Sequence, residues 1–314
     1  MRKSAVPSWF MRDERVPWHF QLIIYLLLSS RNVFALVNSP LSSSAASLND
    51  APLPFPTTCS MVVQQASKAI GLAFRDGMIN RQTIRVPLSE SMYSDKEEGF
   101  VADRAIGWQG GPQETYRYLL PLASDVLRMT AQKIVDDNTG GLVARIQEQS
   151  LLDFDGSALL TAENPAGPLH DVQALLQPNT DSYYIKTIQQ VEKLFSDTPK
   201  KPQRLFVLVN PSWRNQQSFG YFGAARKAQS LILDRYPITY AVDQFVVRGQ
   251  RIGLLKAYPH DWQLYCSTMP YNNNQASEPQ QQFEQPELLG TFPKRPEYNV
   301  IDKLVCEKIA TIRS

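Results

Sequence analysis

The stretch that decides the fold class of this 314-residue chain is Arg204-Leu205-Phe206-Val207-Leu208-Val209-Asn210. Its five consecutive apolar residues indicate a strand buried on both faces, as in a parallel sheet covered by helices on each side. The strand pattern stops at Asn210-Pro211-Ser212, and apolar residues return at helical spacing from about Tyr221 to Leu233. A strand that leads through a short loop into a helix is the repeating unit of α/β proteins.

Upstream of this strand, helical and strand-like patterns alternate. Helices are predicted at 61–78, after Gly110-Gly111-Pro112, at 171–176 and in the second half of 183–195, and strands at 83–88, 142–146 and 151–156. Alternation of this kind argues for a layered α/β sheet that is mostly parallel and flanked by helices.

Downstream of Pro237 the pattern changes to short strands separated by turns. Runs at 238–242, 245–248, 252–257 and 262–266 predict an antiparallel C-terminal meander that extends the sheet. An Asn/Gln-rich stretch at about 268–287 predicts a flexible insertion, and 299–312 a closing helix. We therefore expect residues 56–314 to form a single α/β domain.

Residues 1–55 are typical of a targeting sequence. Basic residues precede the apolar run Leu22–Leu28, which is too short to span a bilayer, and a Ser-rich, acid-poor stretch follows. This tandem order, with Phe34 at the junction, resembles the bipartite plastid presequences of algae with secondary plastids. The resemblance implies a location in the plastid stroma, possibly peripheral to the thylakoid. The alternative is an ordinary secreted protein with a Ser-rich linker.

Cysteine content and charge narrow the class of protein further. The chain has three cysteines, and this odd number without close spacing favours a reducing compartment over a secretory one. The net charge is +2 with no basic block, so we expect no nucleic-acid partner. Beyond Leu28 no apolar run is long enough to cross a membrane, so we expect no transmembrane segment in the mature chain.

The candidate catalytic residues are Asp153 and Asp155, in Leu151-Leu152-Asp153-Phe154-Asp155-Gly156-Ser157. This motif is similar to the first motif of haloacid-dehalogenase-type phosphotransferases, which implies that Asp153 is the nucleophile and Asp155 the acid/base around Mg²⁺. Two carboxylates at the end of a strand can share one such metal ion. The alternative is a strand that ends in a turn, in which Asp155 hydrogen-bonds the backbone.

The candidate ligand-binding residues are Asn210, Ser212 and Arg214, at the carboxyl end of the central strand. Open α/β sheets bind ligands at this edge, and these side chains could hold an anionic or amide group. The alternative is a helix entry in which Ser212 or Ser218 caps, Pro211 sets the turn and Trp213 packs. His170 and His260 do not have metal-ligand spacing, so we predict no metal site and no cofactor, with Mg²⁺ only under the phosphotransfer alternative.

From about residue 56 to 266 the chain resembles the plastid and cyanobacterial domain-of-unknown-function family DUF1995. The resemblance is carried by the apolar strand into Asn210-Pro211-Ser212, by Thr239–Val242, by Gly253–Tyr265 and by Val62–Pro87. The family includes plastid proteins connected with low photosystem II accumulation, and it transfers no active-site residue.

These observations together predict a soluble plastid protein without catalysis of its own. We expect an assembly or stability factor for a thylakoid complex such as photosystem II, with a thylakoid or stromal protein as its partner. The alternatives are a Mg²⁺-dependent phosphate-handling enzyme and a nucleotide or small-ligand binding module at the strand ends.

Overall fold

Strand β5, Leu205–Val209, is buried along its whole length, inside a sheet to which the described residues contribute nine strands. The structure is a computed structural model that describes residues 51–88, 111–134, 144–152, 157–164, 167, 171–194, 204–213, 215–270 and 286–313. Residues Asn49–Ser314 form one compact unit. None of the helices described has both the length and the apolar character that a membrane span requires.

The described part contains five α-helices. They are α1 Cys59–Arg75, α2 Pro112–Ile134, α3 Ser182–Leu194, α4 Gly223–Arg235 and α5 Tyr298–Arg313. The Thr58 side chain caps α1 by accepting a hydrogen bond from the Met61 N–H. Pro112 stands at the first position of α2, where its missing N–H costs nothing.

The strands alternate with these helices in the first half of the chain and follow one another in the second. They are β1 Arg81–Arg85, β2 Arg145–Leu152, β3 Ser157–Glu163, β4 Val172–Leu176, β5 Leu205–Val209, β6 Ile238–Val247, β7 Gln250–Ala257, β8 Trp262–Pro270 and β9 Glu287–Phe292. Their spatial order is β2-β3-β4-β5-β1-β6-β7-β8-β9.

Four adjacent strands in the middle of the sheet, β4, β5, β1 and β6, are parallel. The remaining neighbours are antiparallel: the β2–β3 hairpin extends the sheet on one side, and β7, β8 and β9 extend it on the other. The predicted α/β class, with a parallel core flanked by helices and a C-terminal meander, is confirmed. The hairpin extension beside β4 was not predicted.

The helices lie in two layers, one on each face of the sheet, and alternate side chains of a strand face opposite layers. Val207 and Val209 face the cluster that contains the buried residues of α1 and α2. Phe206 and Leu208 face the opposite layer, built from α3 and α4. Over the meander, α5 packs on the side chains that alternate with those facing α1, so it lies in the same layer as α3 and α4.

Two local predictions were wrong. Strand β4, Val172–Leu176, replaces the helix predicted at 171–176. Val172, Ala174 and Leu176 face one helical layer, while Leu175 faces the other. The two strands predicted at 142–146 and 151–156 are replaced by one strand, β2. β8 runs to Pro270 and β9 begins at Glu287, so the two ends of the insertion predicted at about 268–287 belong to strands. Residues 271–285 lie outside the described part, and the flexible insertion stays a prediction.

The segment just before α1 is part of the folded unit. The Leu53 N–H donates to Gln263 Oε1 at 3.2 Å, and the Pro54 carbonyl accepts from Gln65 Nε2 at 2.8 Å. Phe55 is only 1 % exposed. The targeting segment predicted at 1–55 remains a prediction, but its last residues are held by β8 and α1.

Candidate functional site at the strand ends

Asn210 directly follows β5 and forms hydrogen bonds with β1 and with Val86, the residue after it. Its amide Oδ1 accepts from the Val86 N–H at 2.7 Å, and its Nδ2 donates to the Val86 carbonyl at 2.9 Å. Its own N–H donates to the Ile84 carbonyl at 2.9 Å. The side chain thus continues the β5–β1 pairing by one step, with φ at 48°, a left-handed conformation that Asn tolerates better than most residues.

The loop after Asn210 is tied to its neighbours by backbone atoms. The Arg85 guanidinium donates to the carbonyls of Pro211, at 3.2 Å, and of Trp213. The Ser212 N–H donates to the Pro178 carbonyl at 3.0 Å, which connects this loop to the end of β4. The Ser212 side chain is exposed.

Beyond this loop the chain packs before it enters α4. Trp213 and Phe219 are buried, and their ring centroids lie 5.4 Å apart. A short 3-10 helix, Gln216–Phe219, is closed by reciprocal side-chain bonds between Asn215 and Ser218. The predicted ligand residues Asn210 and Ser212 therefore stand on a well-packed turn; Arg214 lies outside the described residues.

The predicted catalytic pair also lies outside the described residues, as does His170. Asp153 and Asp155 fall between β2 and β3, which pair antiparallel with Leu152 opposite Ser157. β2 is an edge strand of the sheet. In the sequence the pair is thus flanked by the two strands of an edge hairpin.

His260 lies in the β7–β8 turn. Its N–H donates to the Ala257 carbonyl at 2.8 Å, and its carbonyl accepts from Lys256 Nζ at 2.6 Å. Within the described ranges no three His, Cys, Asp or Glu side chains are grouped so that they could share a metal ion.

A charged cluster that the sequence did not reveal lies at the opposite edge, where the parallel strands begin. Glu192 on α3 binds Arg81 Nε at 2.6 Å and Arg235 Nη1 at 3.2 Å, although its own side chain is 8 % exposed. Burial, followed by the nearby Glu192 charge, raises the pKa of Tyr236. This arrangement ties α3 and α4 to β1.

A shallow depression of about 420 Å³ is formed by residues of α3 and α4. It is lined by Lys186, Gln189, Gln190, Glu192, Lys193 and Leu231. It is open to solvent, unlike the enclosed pockets that bind most small ligands.

Cys59, Cys266 and Cys306 are free thiols in the structure. Burial is the main cause that raises the pKa of Cys59 and of Cys266 to about 11. At neutral pH both are therefore protonated and behave as small apolar side chains rather than as nucleophiles.

Sequence reasoning found Asn210 but missed its partner and missed Arg85. The Asn210 motif was visible because a polar residue follows a long apolar run. Val86 stands 124 positions away, so only the fold brings the two together.

A model of one protein family, described as Domain of unknown function (DUF1995), matches residues 56–303. No curated protein and no solved structure matches the chain significantly. The matched region covers most of the described residues, from α1 through the meander and into α5. The chain therefore belongs to this family of unknown function.

Proposed function

We propose that this chain is a plastid protein that acts, without chemistry of its own, as an assembly or stability factor for a thylakoid complex such as photosystem II. Family membership supports the proposal, as does the predicted targeting sequence at residues 1–55. The polar groups at the carboxyl-terminal edge of the parallel strands also support it, because Asn210 and Arg85 bind the protein's own backbone there.

The Asn210–Val86 pairing is the observation that carries this proposal. In open α/β sheets the carboxyl ends of the strands are where ligand-binding groups project. Here both polar atoms of the Asn210 amide, and two N–H groups of Arg85, bind the protein's own backbone. This geometry favours a scaffold that presents surfaces to a partner.

The edge strand β2 is the surface that best suits a protein partner. Most of its side chains are exposed, and β3 is its only paired neighbour among the described strands. An exposed sheet edge can accept a further strand through main-chain hydrogen bonds. We propose that a segment of the partner adds to the sheet here.

A crosslinking experiment in intact plastids tests both location and docking. A photoreactive residue replaces Gln149, which is exposed on β2, and in a control chain it replaces Lys303, whose side chain on α5 is 77 % exposed. We expect the full-length tagged protein to enter the plastid and the Gln149 probe alone to crosslink a photosystem II subunit. Absence from the plastid, or equal crosslinking from both positions, contradicts the proposal.

The phosphate-handling alternative keeps one supporting observation, the exposed Ser212 side chain beside the carboxyl end of β5. It predicts Mg²⁺-dependent hydrolysis of phosphoesters that disappears in Asp153→Asn. A binding module without hydrolysis predicts that a nucleotide or plastid metabolite raises the melting temperature, and that Ser212→Ala removes this effect. A full-length protein inert in both assays excludes this alternative for the compounds tested.

A further inference from the structure

Two large aromatic side chains project into solvent just before α4. Tyr221 is 84 % exposed and Phe222 is 91 % exposed. They stand between Gly220 and Gly223, whose φ angles of 66° and 88° fall in the region that glycine adopts without strain. We call residues 220–223 the aromatic tip.

The aromatic tip rises from a fixed base. Phe219, the residue before it, is buried against Trp213, and the Asn215–Ser218 bonds close the turn below. On its other side α4 begins at once, with Ala228 and Ile232 buried in the α3–α4 layer. The exposure of the two rings is therefore set by the fold around them.

The charge around the aromatic tip is positive. Between Asn210 and Leu233 the sequence contains Arg214, Arg226 and Lys227 and no acidic residue. Arg226 and Lys227 are exposed in the first turns of α4. An exposed acid, Asp181, lies at the start of α3 on the same edge of the sheet.

We infer that the aromatic tip docks on an anionic lipid surface, with Tyr221 and Phe222 inserted at the headgroup level and Arg226 and Lys227 facing the lipid phosphates. The tyrosine ring, with its apolar body and polar hydroxyl, favours this interface, and an apolar phenylalanine ring can insert beside it. Each cation near an anionic leaflet adds attraction. Gly220, Gly223 and Ala224 beside the rings are exposed as well, so the described neighbours leave the rings accessible to a lipid layer.

This inference deepens the proposed function, since it names the surface by which a plastid factor reaches a membrane. Its test uses neither plastids nor photosystem II, so the lipid-docking inference and the proposed function can fail independently of each other. Purified full-length protein is mixed with vesicles of phosphatidylcholine alone and with vesicles that also contain phosphatidylglycerol. Bound protein is measured by flotation at low and at high salt.

We expect binding only to the vesicles with phosphatidylglycerol, and weaker binding at high salt because the salt screens the cations. The double variant Tyr221→Ser/Phe222→Ser should lower the partition coefficient by about tenfold or more, because each ring buries apolar surface on insertion. Arg226→Glu/Lys227→Glu should abolish the preference for the anionic lipid. Tyr298→Ser, which removes an aromatic side chain that is 65 % exposed on α5, is the matched control and should bind as wild type does.

Matching thermal melts establish that the variants fold, since all the altered side chains are exposed. Wild-type protein that ignores both kinds of vesicle overturns the inference, as does a double variant that binds as tightly as wild type. A photoreactive residue at 222 that crosslinks only protein in native membranes also overturns it, because the tip then fits a protein pocket.

Discussion

The ring of Phe55 occupies the space that a side chain at Gly253 would fill. A Cβ built on Gly253 would lie 2.6 Å from Phe55 Cζ, well inside contact distance. The Phe55 ring centroid is also 5.3 Å from that of Tyr265. The segment before α1 is therefore packed into the meander through the one position in β7 that has no side chain to exclude it.

Gly253→Ala should destabilise the protein because the added methyl group displaces the Phe55 ring. We expect a loss of about 1–3 kcal/mol in the free energy of unfolding, the usual cost of overpacking. Denaturant unfolding measures it. Gly111→Ala is the control, since nothing lies within 4 Å of a Cβ at that position. Equal stability of the two variants would show that Phe55 does not pack here.

The same contact sets a limit on where a leader can be removed. A chain that begins at residue 52 keeps the Leu53–Gln263 bond and the Phe55 ring, so it should melt as the longer chain does. A chain that begins at residue 57 loses both and should lose about 3–5 kcal/mol of stability, as for removal of a buried Phe. We therefore expect any removal of the predicted targeting sequence to occur before Leu53, and mass spectrometry of the mature protein gives its first residue. A mature chain that starts after Phe55 would contradict this account.

Asn210→Asp separates a structural from a ligand-binding role of this residue. One carboxylate oxygen can still accept from the Val86 N–H, but the other would face the Val86 carbonyl, which Asn210 now satisfies at 2.9 Å. We expect a loss of about 1–3 kcal/mol at neutral pH. This loss should shrink in acid, because a protonated Asp can donate to that carbonyl. Chemical unfolding at both pH values measures it.

Ser212→Ala is the neighbouring control, since its exposed side chain can be removed at little cost, within about 0.5 kcal/mol. Full stability of Asn210→Asp at neutral pH would mean that the amide does not hold β5 to β1. The residue would then be available for a ligand.

The pKa of Cys266 predicts how stability changes in alkali. Burial is the main cause that raises this pKa from 9.0 to about 11, with Glu287 raising it further and Lys308 lowering it. The folded state thus holds the thiol proton more tightly than the unfolded state. The stability that results is fully present below about pH 9 and is lost as the pH rises toward 11. Cys266→Ala should therefore show a smaller fall in unfolding free energy over this range than wild type, and parallel curves would contradict the prediction.

Local pattern was enough to predict the centre of the fold but not its edges. The apolar run Leu205–Val209 indicated a strand covered on both faces, and it is one. β4 was mistaken for a helix because, in five residues, apolar side chains on both faces do not show which period they follow. β2 was predicted as two shorter strands because its middle, residues 147–150, is polar. These side chains are exposed at the edge of the sheet, so they need not be apolar.

The candidate site depended on contacts that no local pattern contains. The Asn210–Val86 pairing spans 124 positions, and the bond between Leu53 and Gln263 spans 210. The aromatic tip was read as part of a helix because Tyr221 and Phe222 continue the apolar spacing of α4, while their exposure follows from the glycines on each side. The two long-range hydrogen bonds follow from how the sheet is assembled.

The most direct test of the central claim, that the protein supports a thylakoid complex without catalysis, is the level of photosystem II in plastids that lack it. We predict that loss of the protein lowers this level and that the wild-type chain restores it. The chain with Asp153→Asn and Asp155→Asn should restore it equally well. The account would be contradicted if plastids without the protein had an unchanged level of photosystem II. It would also be contradicted if the wild-type chain restored this level and the variant chain did not.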